Sequence, residues 1–382
     1  MKKINVLVIG AGMYVCGRGT SGVGTILPVL MSEQNNHLVD KIVVAAHSKI
    51  GESSLREKII EINNLMGTNK SVAAYLDLDE AIKNTPEPRC AIISTPDDTH
   101  SEIALKLMEK GFHLLVVKPL APTLIEVEKL LAAQEKNQVY GMVEFHKRFD
   151  RANLKLKEAI LEKRVGDPLY FIVEYSQRKS IPTEVFKTWV DRTNIMQYLG
   201  IHYIDIIYFA TKATPVRAMA VGQKGFLQTK GLSAFDAIQA TIEWKTDDGK
   251  TFHSQINTNW IDPENTSSMS DQKIKVIGTK GRLESDQKYR GLMSVSDDKN
   301  IEEMNPDFCQ FYYKDNGKKE IKGYGVESIS TFLSDVSEIL NENKKWNSFE
   351  GIRPTFKQTI IPTKIIQAIN SSLTKNSEWI VI

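Results

Sequence analysis

The side chains best suited to chemistry in this 382-residue chain lie at the ends of apolar runs. The stretch from Cys90 to Pro119 reads CAIISTPDDTH, SEIALKLMEKG, FHLLVVKP. Its polar residues fall where two apolar runs stop: Thr95 and His100 after the first, Lys118 after the second. Farther on, Tyr198, His202 and Asp205 recur in QYLGIHYID, with apolar residues at Ile201, Ile204, Ile207 and Tyr208. That spacing predicts a helix with the three polar groups on one side. Lysine, histidine and tyrosine are all groups that can hold or pass a proton.

The elements around these residues predict how they are placed. Cys90–Ile93 and Phe112–Val117 read as buried strands, with an amphipathic helix between them ending near Gly111. In parallel sheets ligands bind beyond the carboxyl ends of the strands. Ser94, Thr95, Pro96, His100, Lys118 and Pro119 are therefore expected to face one ligand. Ile4–Ile9 is another buried strand and runs straight into Gly10-Ala11-Gly12-Met13. A strand, a glycine turn and then a helix is the setting of a dinucleotide fingerprint: the first Gly permits the turn, and the second lets the backbone approach a pyrophosphate. The third Gly of the pattern is replaced by Val15, and Gly17, Gly19, Gly22 and Gly24 follow, so the loop reads as expanded.

The second strand, KIVVAA, ends in His47-Ser48-Lys49 rather than in Asp or Glu. With no carboxylate to repel a 2′-phosphate, and with Arg56 nearby, these residues favour NADP over NAD. Strands and helices alternate through VYGMVEF (139–145), which predicts a doubly wound parallel sheet over residues 1–150.

Beyond Leu169 the pattern changes. LYFIVEYSQ, VRAMAVGQ, DAIQATIEWKT, KTFHSQINTNW, QKIKVIGT and GRLESD read as strands separated by turn signals. They predict an open, mostly antiparallel sheet in a second α+β domain, residues 151–382. Helices are expected at 154–163, 189–209, 324–340 and 355–373, with the last able to pack back on the first domain. Residues 293–322 carry no clear pattern.

Composition bounds the rest. The chain is 41% hydrophobic and 25% charged with a formal net charge of +2, which argues against nucleic acid or an acidic membrane as main partner. The three cysteines show neither disulfide nor metal spacing, so no metal is expected, and a reducing cytoplasm fits. No run approaches the roughly 20 apolar residues of a membrane span. The basic Met1-Lys2-Lys3 before INVLVIG lacks a cleavage pattern and is not expected to be a signal peptide.

Taken in order, GAG, STPDDTH, VKP, VEFHKRF, GIHYID and IKVIGTKG resemble the glucose–fructose oxidoreductase / inositol dehydrogenase (Gfo/Idh/MocA) family over nearly the whole chain. The resemblance implies an N-terminal Rossmann domain and homodimers or homotetramers formed through the second sheet. It implies hydride transfer at a secondary alcohol or ketone of a sugar, nucleotide-sugar or cyclitol. Carried across, it makes Lys118 the group that hydrogen-bonds the reacting oxygen and His202 its catalytic partner, the two converging beside the nicotinamide. Two departures stand out: Val117 replaces the acid before the lysine, and Tyr198 replaces the acid four residues before the histidine. A tyrosine can donate a proton when an ammonium lowers its pKa, so Tyr198 is a third catalytic candidate. Arg148, Trp189, Arg192 and Asp205 are candidates for substrate contact.

Each feature also has a plain structural alternative. Lys-Pro closes many strands, His100 can cap a helix, and the arginines and Trp189 can be packing or salt-bridge residues. Two other functions remain open: a sensor that keeps the nucleotide fold without chemistry, and a reductase of a non-sugar substrate such as an imine or a linear tetrapyrrole.

Overall fold

The computed structural model describes residues 2–298 and 300–382. Along the first part run β1 (Ile4–Ile9), α1 (Met13–Cys16), α2 (Ile26–Asn35), β2 (Val39–Ala45), α3 (Lys49–Met66), β3 (Ala73–Tyr75), α4 (Leu78–Lys83), β4 (Arg89–Ile93), α5 (His100–Met108), β5 (His113–Val117), α6 (Leu124–Asn137) and β6 (Gly141–Glu144). Next come α7 (Arg151–Leu161), β7 (Pro168–Arg178), α8 (Ile201–Thr211), β8 (Thr214–Gln223), α9 (Phe226–Thr229), β9 (Ala237–Lys245), β10 (Thr251–Asp262), β11 (Ser270–Gly278) and β12 (Arg282–Asp286). The chain ends with β13 (Met293–Ser296), β14 (Asn300–Glu303), β15 (Gln310–Tyr313), β16 (Lys319–Lys322), α10 (Tyr324–Leu340), α11 (Ile360–Thr374) and β17 (Ile380–Val381).

The first unit is an α/β layer structure on a six-stranded sheet of order β3-β2-β1-β4-β5-β6, all pairs parallel. This is the doubly wound order, and its direction reverses between β1 and β4. Every residue of β1 is buried, as the continuous β-branched and aliphatic run predicts. Helix α3 is started and stopped by its own caps. Ser48 accepts a hydrogen bond from the Gly51 N–H at the head of α3, and Gly67 ends that helix in the left-handed conformation.

One feature of this unit differs from the sequence reading. The division at residue 150 leaves out Asp307–Gln358, which packs with the segments up to Ala121 and Ile125–His146. The cause is α10. Its apolar stripe, including Ile329, Phe332, Leu333 and Val336, is buried against α2, β5 and β6. Val143 N–H donates to the Pro354 carbonyl at 2.8 Å, and Tyr140 OH donates to Asp335 at 3.0 Å, which fastens the segment to β6. The expanded glycine loop folds back on α1. Thr25 N–H donates to the Tyr14 carbonyl at 2.8 Å, and a Cβ on Gly17 would lie 2.0 Å from the Gly22 carbonyl oxygen. Only a glycine with its positive φ of 75° fits there.

The second unit comprises Pro122–Leu124, Lys147–Pro306 and Thr359–Ile382. Its sheet has the order β12-β11-β7-β10-β9-β8-β17 and is antiparallel except for the central β7–β10 pair. The six predicted strands are present with ends shifted by at most a few residues. In β9 and β10 alternate residues are buried, so one face holds the core, with Trp244 and Trp260 fully enclosed. The expected last helix, α11, packs on β8 and α8 of this unit. The unreadable stretch 293–322 forms two small hairpins, β13–β14 and β15–β16.

The helix expected over 189–209 is broken. A 3-10 turn spans Val190–Arg192, a π-helical turn spans Met196–Gly200, and only Ile201–Thr211 is regular α-helix. Asn194 anchors the wide turn by accepting from the Gln197 N–H at 2.9 Å. Gly200 leaves room for Met196, whose sulfur would stand 2.3 Å from any Cβ at that position.

Candidate functional site

In the first unit the carboxyl ends of β1, β4, β5 and β6 bring together the predicted ligand-facing residues. Gly10, at φ 109°, accepts no side chain, because a Cβ would lie 2.2 Å from the Ser94 carbonyl oxygen. The turn after β1 and the turn after β4 therefore touch through backbone. At Gly12 nothing lies within 4 Å of the Cβ position, so the backbone there is open to close approach. A closed turn beside an accessible backbone is what a pyrophosphate needs, and Gly10, Gly12 and Met13 fit a dinucleotide.

His100 is 1% exposed and does not cap α5. Its Nδ1 lies 2.8 Å from the Pro119 carbonyl and its Nε2 lies 2.9 Å from the Thr95 carbonyl. The ring thus ties the turn after β4 to the turn after β5, and its work is to position Thr95 and Pro119. Within the turn after β4, the Thr99 hydroxyl lies 2.7 Å from both Thr95 Oγ1 and the Pro96 carbonyl, which braces that turn.

Lys118 is partly buried, and the Lys118–Pro119 peptide is cis. Burial draws its pKa down from the usual lysine value to about 8, against the opposing pull of Asp97 and Glu144. Both carboxylates are buried, at 4% and 1% exposure. An ammonium poised near neutral pH is a group that can give and recover a proton.

At the end of β2, His47 is exposed with φ 57°, and Lys49 is exposed. The Ser48 hydroxyl is engaged in capping α3. Arg56 is paired at 2.6 Å with Glu52 on the same helix face. The basic group that reaches the head of α3 is Arg18, whose Nη1 lies 3.3 Å from the Cβ position of Gly51. Sequence reasoning passes over Arg18 because it sits in the expanded loop, where nothing local shows which way the chain folds back.

In the second unit Tyr198 lies on the π-helical turn and packs against Phe186, Trp189 and Trp260, with ring centroids 5.0, 5.7 and 6.0 Å away. Trp189 also meets Phe186 at 4.6 Å, so it is part of an aromatic cluster. His202 and Asp205 are 2% and 0% exposed; the polar side of α8 faces inward rather than to water. Asp205 accepts from Arg148 Nε at 2.8 Å and from Nη2 at 2.6 Å. This bidentate pair engages both carboxylate oxygens of Asp205 within the protein. Arg192 is exposed at the end of the 3-10 turn. Among the described residues no cluster of His, Cys, Asp and Glu could hold a metal, and no helix is long and apolar enough to cross a membrane.

Residues 4–145 match the model of an oxidoreductase family with an NAD-binding Rossmann fold, and residues 153–284 match the Gfo/Idh/MocA C-terminal domain. The chain belongs to the Gfo/Idh/MocA family of oxidoreductases. Myo-inositol 2-dehydrogenase of Thermotoga maritima is 24% identical over 310 residues, covering 80% of this chain and 86% of that protein. Levoglucosan dehydrogenase of Pseudarthrobacter phenanthrenivorans is 27% identical over 177 residues, 46% of this chain and 42% of that one. In fold, this Gfo/Idh/MocA chain is similar to an inositol dehydrogenase homolog from Azotobacter vinelandii solved with NADH and myo-inositol. The TM-score is 0.74 at 15% identity, covering 100% of this chain and 98% of that one. The family assignment carries a nicotinamide cofactor with it, and the glycine turn and open Gly12 backbone fit that group.

Proposed function

We propose that the protein transfers hydride between a nicotinamide cofactor, NADP in preference to NAD, and a secondary alcohol or ketone of a sugar, nucleotide-sugar or cyclitol. The observation that carries this reading is Lys118. It is a partly buried ammonium at the end of β5, with its pKa near 8, on the strand next to β4, where strand order reverses. The cofactor, when bound, supplies the hydride donor or acceptor. Lys118 donates a hydrogen bond to the reacting oxygen and takes up or gives its proton. His202 and Tyr198 are the second proton-handling pair. Trp189 and Arg192 border the residues that select the substrate. The inositol and sugar dehydrogenases among the relatives support a polyol substrate.

The preference for NADP rests on the residues at the end of β2. No acid follows the strand, Lys49 is exposed there, and Arg18 approaches from the glycine loop. A cytoplasmic homodimer or homotetramer is part of the same proposal. The test is titration of the purified protein with NADPH and NADH by cofactor fluorescence, followed by turnover on a panel of inositols, sugars and nucleotide-sugars. Binding of NADPH with oxidation of at least one polyol supports the reading. No binding of either cofactor overturns it.

A second reading follows from the expanded glycine loop and from Val117 and Tyr198, which stand where the family pattern has acids: a sensor that binds the nucleotide and does no chemistry. Cofactor binding without turnover across the whole panel would favour it.

A further inference from the structure

Trp189 and Tyr198 are the half-buried members of the aromatic cluster, and Phe186 and Trp260 are its buried members, at 6% and 0% exposure. The Trp189 and Tyr198 rings meet at 65° with centroids 5.7 Å apart, which makes a corner of two partly accessible rings. Tyr198 lies on the turn that runs into α8, four residues before His202. The face of an indole is electron-rich, and the C–H groups of a hydroxyl-bearing ring carry slight positive charge, so such a ring lies favourably on it. A cyclitol or pyranose seated in this way keeps its hydroxyls at the rim, where a few polar groups fix its orientation.

Trp189 leads into a three-residue 3-10 turn, Val190–Arg192. Its N–H donates to the Phe186 carbonyl at 2.9 Å, and the Arg192 N–H donates to its own carbonyl at 3.0 Å. Hydrogen bonds of a 3-10 turn have poor geometry, and so short a turn holds its shape weakly by itself. Asp191, in the middle of the turn, supplies an outside anchor. Its Oδ1 accepts from the Ser233 N–H at 2.7 Å and from the Ala234 N–H at 3.1 Å. Bonds from backbone N–H groups to a carboxylate are charge-assisted and strong.

The anchoring loop is itself fixed. Asp236 accepts from the Phe226 N–H at 2.7 Å and from the Leu227 N–H at 2.8 Å, at the head of α9. The Asp236 N–H donates to the Gln223 carbonyl at 2.9 Å, and its carbonyl accepts from the Trp260 N–H at 2.8 Å. The turn after Trp189 is thereby tied to the strand that carries Trp260, and Trp260 packs on Tyr198 with centroids 6.0 Å apart. The loop closes a circuit from one half-buried ring to the other.

We propose that Asp191 is the positioning residue for Trp189. By holding the turn that follows, its carboxylate sets the indole against Tyr198 as the surface that receives the C–H face of a ring polyol. This rests on the reading of the protein as a polyol oxidoreductase, and it adds the residue that shapes its specificity.

The test is fluorine NMR of the full-length protein labelled with 5-fluorotryptophan. The chain has five tryptophans, and the Trp189 signal is assigned by its loss in Trp189→Phe. Asp191→Ala should move that signal toward the position of a solvent-exposed indole and leave the other signals in place. Asp191→Asn, whose amide oxygen still accepts both N–H bonds, should restore it. An unmoved Trp189 signal in folded Asp191→Ala overturns the proposal. A shift of every tryptophan signal also overturns it, because Asp191 would then support the whole unit. If Asp191→Ala does not fold, Asp191→Ser decides in the same way, since its hydroxyl is one bond too short to reach both N–H groups. In turnover, with myo-inositol and D-glucose as probes, Asp191→Ala should raise KM about tenfold and change kcat little, as the loss of one aromatic contact predicts. A fall in kcat at unchanged KM overturns the placement of the polyol on Trp189. The fluorine signals need neither cofactor nor substrate, so failure of the oxidoreductase reading shows as absent turnover and failure of this one as an unmoved signal.

Discussion

Arg148 grips Asp205 through two parallel hydrogen bonds, Nε to Oδ2 at 2.8 Å and Nη2 to Oδ1 at 2.6 Å, with both side chains almost fully enclosed. Burial pushes the Asp205 carboxyl above its usual range, and Arg148 pulls against that push. Removing one partner strands the other charge away from water. Asp205→Ala is expected to cost about 3–5 kcal/mol of stability. Urea unfolding of the variant against wild type measures it. A loss near zero would mean that water reaches the guanidinium after all.

Lys118→Met should lower turnover by about 10²–10⁴-fold while the affinity for cofactor is retained. In wild type, kcat/KM should change over a limb centred near pH 8, where the ammonium loses its proton. Steady-state kinetics from pH 6 to about 9.5, with cofactor affinity measured by fluorescence, separate the two effects. Full turnover in Lys118→Met would remove the lysine from the chemistry.

Arg18 gives a sharper handle on cofactor choice than the residues at the end of β2. Arg18→Ala should weaken NADPH by about tenfold or more and leave NADH nearly unchanged, since a charge-assisted hydrogen bond to phosphate is lost in one case only. Calorimetric titration with both cofactors checks this. Equal weakening of the two would place Arg18 on the shared part of the molecule instead.

His113 makes the fold acid-sensitive. It is 8% exposed, its Nδ1 accepts from the Tyr140 N–H at 2.9 Å, and burial lowers its pKa to about 4 from an unfolded value near 6.5. Between those two values the unfolded chain binds a proton that the folded chain refuses. Stability is therefore complete above about pH 6.5 and declines as pH falls toward 4, by up to about 3 kcal/mol. His113→Asn keeps an acceptor but does not titrate. Its urea midpoint should fall less than that of wild type between pH 7.5 and 4.5. Parallel declines would assign the acid sensitivity to other groups.

Much of this architecture is readable from residue patterns because the driving periodicities are strong. The mostly apolar, fully buried run of β1 and the period-two runs of β9 and β10 leave few alternatives, and the segment 324–340 coincides with α10. The glycine turn and Lys118 are legible because a strand end followed by Gly or Lys-Pro is a local signal. The failures share a cause. The π-helical turn that carries Tyr198 depends on the fit of Met196 over Gly200, which no helical period encodes. The polar side of α8 would face water by its pattern alone, but Arg148, far off in sequence, meets Asp205 there. Arg18 escapes a reading of the sequence because it gains its meaning from a loop reversal.

The last element to join the first unit, Asp307–Gln358, has a consequence for how the protein is made. A nascent chain that has just emerged through His146 has its six parallel strands but lacks α10. The oily flank formed by α2, β5 and β6 stays bare while the ribosome adds Lys147–Pro306. At about 5–20 residues per second that interval lasts roughly ten seconds or more. For that time the half-built sheet is a client for chaperones, and a chain cut short near residue 150 would remain one.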